Sequence, residues 1–116
     1  MKEDNLIKKK SFDFAIRIVN LYKYLQDEKK ECIMSKQLMK SGTSVGANVY
    51  EAIRGVSRKD FINKLGIALK EAHESEYWID LLFATKYLDK NEFDSIKEDC
   101  NDINRILIAI LKSSAV

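Results

Sequence analysis

The chain has 116 residues, 46% hydrophobic and 33% charged, which fits one globular domain over 1–116 and excludes a disordered polymer. It has no proline and only four glycines, so few breakers interrupt long helices. A net charge of +2 is too weak to imply a polyanion partner, but the charge is uneven. Residues 1–40 hold ten Lys/Arg against six Asp/Glu, residues 41–70 five against two, and residues 71–116 five against ten.

The amino terminus, Met1-Lys2-Glu3-Asp4-Asn5, is charged and lacks the apolar core of a secretion signal. The longest strongly apolar run, Ile106 to Leu111, is far short of a membrane span. Cys32 and Cys100 match no metal or redox spacing and read as reduced thiols. The expectation is a cytoplasmic protein with no membrane segment.

Helix one is expected from Asn5 or Ser11 to Asp27. Phe14 or Ala15, Ile18, Leu21 or Tyr22 and Leu25 repeat on one face. Asp27 to Glu31 reads as a short polar connection. Helix two, from Ile33 to Arg54, contains the stretch around which the chain is organised, Ser41 to Ala52, where side chains are unusually small. Leu38, Gly42, Val45, Val49 and Ala52 form one stripe; Met39, Thr43, Gly46, Tyr50 and Ile53 form a second, one residue on. Two mid-helix glycines cost about 1 kcal/mol each relative to alanine. Close approach of neighbouring helices at Gly42, Gly46 and Ala47 is the compensation the pattern predicts.

Gly55 stands where a left-handed helix cap is expected. Ser57 should cap helix three, with Asp60 in a capping-box-like position near the positive helix end. Helix three should run from Arg58 to about Lys86, with Phe61, Leu65, Ala68, Ala72, Ser75, Ile79 and Leu82 on one face. Ile62, Gly66 and Leu69 make a second apolar edge, and Ile67, Trp78 and Leu81 a third. Asp89 should cap helix four, in which Phe93, Ile96, Cys100, Ile103, Leu107 and Ile110 make a coiled-coil-like seam.

Four amphipathic helices joined by short connections predict an all-α fold, an antiparallel up-down-up-down four-helix bundle. Apolar surface beyond one seam on helices two, three and four suggests a homo-oligomer, with Tyr50 and Trp78 among the packing residues. The topology gathers Lys8, Lys9, Lys10, Arg54, Arg58, Lys59, Lys64 and Lys112 at one pole, opposed mainly by Asp13, Glu51 and Asp60. Repeated around an oligomer, such a pole attracts phosphates far more strongly than one subunit does.

No catalytic set emerges. His73 is the only histidine and position 70 is lysine, so the Glu-x-x-His element of bundle di-iron sites is missing. Glu71, Glu74, Glu76 and Asp80 point around their helix and read as a solvated face rather than a metal site. Gly42 and Gly46 are not a phosphate loop, since no strand precedes them and no Gly-Lys-Ser/Thr follows. No cofactor is expected. Tyr77 and Trp78 read as packing residues, with base stacking as the alternative.

Ser41-Gly42-Thr43-Ser44-Val45-Gly46-Ala47-Asn48, Ser57-Arg58-Lys59-Asp60-Phe61, and Ile67-Ala68-Leu69-Lys70-Glu71-Ala72 through Glu76-Tyr77-Trp78 together resemble one family. It is the four-helix bundle family of bacterial 23S rRNA-intervening sequence proteins, related to the accessory variability protein of diversity-generating retroelements. The resemblance spans nearly the whole chain and implies an up-down bundle assembling as a ring-like homopentamer. It transfers no catalytic residues, because the family's biochemical role is mostly undefined. The reading is a non-enzymatic bundle oligomer that binds RNA or DNA through Arg54, Arg58, Lys59, Lys64, Lys9 and Lys10. Its rivals are a protein-interaction scaffold and, further off, a carboxylate-based enzyme.

Overall fold

Apolar residues recurring every three or four positions make four stretches of the chain helical. The computed structural model describes residues 2–114, as α1 (Lys2–Asp27), α2 (Ile33–Ile53), α3 (Arg58–Ala84) and α4 (Lys90–Ser114), with no strand among the described residues. Met1 of the amino-terminal stretch and the last two residues of the expected domain lie outside the described residues. The helices form an antiparallel up-down-up-down bundle, 45 × 21 × 19 Å, in which α2 packs on α1 and α3, and α4 on α3 and α1.

Cross-helix contacts set the register. The Ser75 hydroxyl donates to Ser41 Oγ at 3.0 Å between α3 and α2, and the Cys100 thiol to the Ala72 carbonyl at 3.4 Å between α4 and α3. Arg17 of α1 pairs with Asp99 of α4 at 2.8 Å. Between these lines Phe14, Ile18, Leu25, Leu38, Val45, Val49, Leu65, Ile79, Ile103 and Leu107 are fully enclosed. The first small-residue stripe of α2 is buried along its whole length. Burial also pushes the Cys100 thiol up to about 12, so it behaves as a small apolar side chain.

Three boundaries differ from expectation. α1 begins at Lys2 because Ile7 and Ser11, both buried, extend its seam toward the amino terminus. α3 stops at Ala84, two residues early, where Lys86 turns left-handed at φ 72°. Gly55 does not supply the left-handed cap: no glycine has positive φ, and the second left-handed residue is Lys30, after α1. A Cβ there would meet the Ala52 carbonyl oxygen at 3.1 Å, a backbone contact that favours a small residue, and the movable tip of Asp60 at 2.6 Å. The Ser57 cap is as expected, its Oγ accepting from the Asp60 N–H at 3.0 Å, and Asp89 caps α4 by accepting from the Glu92 N–H at 2.8 Å.

Candidate functional site

The bundle topology brings the start of α1, the α2–α3 turn and the end of α4 to one pole. The Arg58 guanidinium, at the first residue of α3, donates to the Ser114 carbonyl at 2.9 Å and ties the turn to the end of α4. A hollow of about 570 Å³ opens beside it, with Leu6, Phe61, Ile106 and Ile110 among its walls. On the other side of the turn a groove of about 520 Å³ lies between Tyr50, Arg54, Val56 and Lys64.

The six expected phosphate-binding residues divide into two groups. Lys9 pairs with Asp13 at 2.8 Å, Lys10 with Asp102 at 3.8 Å and Lys64 with Glu51 at 3.7 Å. The Asp13 carboxylate holds the Lys9 ammonium above its ordinary pKa through a hydrogen bond and its charge. These three lysines therefore have acidic neighbours that compete with a phosphate. Arg54 and Lys59 are exposed and have no ionic partner among the described residues. Arg54 caps α2, and Lys59 lies in the first turn of α3, so both flank the turn, with Arg58 between them in sequence. At its tip Val56 is 100% exposed.

The packing residues are also sorted by the structure. A Cβ on Gly42 would stand 2.9 Å from Ile18 Cγ1, and one on Gly46 3.3 Å from the Ser11 carbonyl oxygen. Both glycines thus let α1 approach α2, as their cost required. Ala47 is exposed, unlike the two glycines. Tyr50 is half-buried, stacked on Phe12 with ring centroids 6.2 Å apart and capped by the Lys8 ammonium 4.9 Å from its ring. Trp78 is half-buried, edge-on to Tyr77, and donates from Nε1 to Glu74 at 3.2 Å.

Two acidic residues of α3 are engaged across the bundle. Glu76, at 3.0 Å, and Asp80 both bind Lys97 of α4. Burial alone would lower the Lys97 pKa, but hydrogen bonds and charge from these two carboxylates outweigh it and raise the value. His73 is exposed, and among the described residues no group of three or more His, Cys, Asp or Glu is placed to hold a metal ion.

Glu31, expected within a solvated polar connection, is instead buried at the start of α2. Its side chain is 6% exposed and accepts the backbone N–H groups of Ile33, Met34 and Ser35, each at 2.9 Å. Burial pushes this carboxyl up, yet the hydrogen bonds from Met34, Ser35 and Ile33 prevail and hold it below its ordinary value. Cys32, the formal cap residue, makes no side-chain cap bond, so Glu31 anchors the start of α2. The available signal was an acidic residue just ahead of an apolar-periodic run.

Fold and surface together define an all-helical bundle with a partly neutralised basic pole and a tightly closed α1–α2 seam. The model of the 23S rRNA-intervening sequence proteins matches residues 3–109, and the chain belongs to that family. A crystal structure of a protein of unknown function from the S23 ribosomal protein family of Bacteroides thetaiotaomicron is similar, at 56% identity and a TM-score of 0.93. The match covers 95% of this chain and 98% of that one. No curated protein matches the chain. No helix among the described residues is long and apolar enough to cross a membrane.

Proposed function

We propose that the chain is a non-enzymatic, cytoplasmic bundle that self-assembles and binds RNA or DNA phosphates through the pole at its α2–α3 turn. The observation that carries this reading is that Arg54 and Lys59 are exposed with no ionic partner among the described residues, flanking a turn whose third cation, Arg58, is held toward the end of α4 by the Ser114 carbonyl. Contacts of this kind position a protein on the phosphate backbone with little base readout. Lys9, Lys10 and Lys64 add long-range attraction, weakened by their own carboxylate partners. Two or three cations per subunit make a weak site, and repetition around an assembly, five-fold by family resemblance, raises its avidity. The reading needs no cofactor.

Fluorescence anisotropy of a labelled mixed RNA fragment at low and moderate salt tests this. Affinity should fall as salt rises, with a log–log slope of roughly −0.7 per neutralised single-strand phosphate. Arg54→Glu with Lys59→Glu should abolish the binding. RNA affinity indifferent to salt, or unchanged by the double substitution, would falsify the proposal.

A second reading, a protein-interaction scaffold, is favoured by one observation: the tip of the same turn presents the fully exposed aliphatic Val56. An assembly that ignores RNA at every salt concentration, yet loses a protein partner on Val56→Asp, would establish it instead.

A further inference from the structure

The glycines of α2 are explained within the subunit, but Gly66 in the middle of α3 is not: no atom lies within 4 Å of where its Cβ would stand. A glycine there costs about 1 kcal/mol relative to alanine, and nothing in the subunit offsets it. Beside it Ile67 is 42% exposed, and further along the same face Tyr77 is 58% exposed. A second uncovered apolar patch lies on the other side of α2, along the α1–α2 seam. There Phe12 and Ile16 are 51% and 49% exposed beside the small, exposed Ala47.

The two patches differ in the charge around them. Lys23 continues the Phe12–Ile16 stripe of α1, and Lys36 and Lys40 continue the Ala47 stripe of α2. All three lysines are exposed and have no ionic partner among the described residues. On α3, Glu71 and Glu74 stand between Ile67 and Tyr77, with Lys70 the one cation among them.

We propose that the α3 face of one copy docks on the α1–α2 face of a second copy of this chain, with Gly66 providing the close approach. Apolar patches then cover each other while carboxylates of one copy meet lysines of the next. The two faces differ and lie on either side of α2, so the contact is heterologous. Each added copy leaves one face free at either end until the series closes into a ring. This inference rests on the self-assembly part of the proposed function and specifies the surfaces that carry it.

Light scattering behind size exclusion tests it on the full chain with two variants, Ile67→Glu/Tyr77→Glu and Phe12→Glu/Ile16→Glu. Their sites are solvent-exposed in the subunit, and circular dichroism checks that each folds. Each variant alone should run at the mass of a single chain. Mixed in equal amounts they should form a dimer and nothing larger, because each keeps the one face the other has lost. A variant alone that forms dimers, as a like-with-like contact would allow, overturns the pairing of faces. Wild-type mass in both variants also overturns it and leaves self-assembly standing, whereas a monomeric wild type overturns both. Should either variant misfold, the charge swap replaces it: Lys36→Glu/Lys40→Glu should lose the assembly, and Glu71→Lys/Glu74→Lys in the same chain should restore it. Failure of that restoration counts against the interface.

Discussion

Gly42 and Gly46 in α2 and Gly66 in α3 carry the same intrinsic penalty, yet their surroundings differ completely. The first two are closed over by Ile18 and the Ser11 backbone, and the third faces open space. A small residue inside a helix is therefore a demand for a neighbour, and the fold of the subunit meets that demand at only one of the two places. The α1–α2 seam belongs to folding, whereas the subunit gives Gly66 on α3 no neighbour.

Breaking the seam should have the largest effect. Gly42→Val places carbon atoms inside the contact distance of Ile18 and should lower unfolding free energy by about 2–3 kcal/mol, read from urea denaturation with an unchanged m-value. Loss of less than about 0.5 kcal/mol would mean that α1 yields freely and that the close approach is incidental.

The start of α2 comes next, because the seam depends on where that helix begins. Glu31→Ala leaves three backbone N–H groups without their acceptor and should cost about 1–2 kcal/mol. The carboxyl's folded pKa lies below its unfolded value. Its contribution is therefore complete above the ordinary carboxylate pKa of 4.5 and lost as pH falls through the depressed folded value. Glu31→Gln should flatten that part of the stability–pH curve between pH 7 and strongly acidic conditions. An identical acid dependence in wild type and variant would show that other carboxylates govern it.

Smallest and most pointed is Gly66→Ala. In the Ile67→Glu/Tyr77→Glu background, where the α3 face is unoccupied, it should raise stability by about 1 kcal/mol through helix propensity alone. In the otherwise wild-type chain the same change should weaken assembly, seen as a lower mass at equal concentration. If it stabilises both backgrounds alike, Gly66 has no role at an interface and the contrast between the two glycine sites collapses.

Much of this architecture was legible from residue spacing. The stripe Leu38, Gly42, Val45, Val49 and Ala52 is buried throughout, and the α4 seam from Ile96 to Ile110 faces the core. Periodicity reports burial because a helix has only one way to turn its apolar face inward. Ser57 and Asp89 announced their helices because capping is a local interaction between a side chain and the N–H groups just ahead of it. Gly55 misled for the complementary reason: glycine tolerates both hands, and what stands close to this one is the Ala52 carbonyl and the movable tip of Asp60.

The site was less legible. Composition and topology were enough to gather the cations at one pole, since antiparallel helices of similar length bring alternate ends together. Which cations stay available was decided by partners distant in sequence, such as Asp102 for Lys10 and Glu51 for Lys64. Glu31 looked like an ordinary solvated residue of a charged connection until the chain folded back and buried it.

Helix number, helix order and the buried stripes follow from short-range pattern, which any segment carries within itself. The pairing of Lys10 with Asp102 and of Lys64 with Glu51, and the contrast between Gly42 and Gly66, follow from distances between segments. Those distances exist only once four helices have packed, because side-chain charge and shape act over a few ångströms and have no meaning along an extended chain.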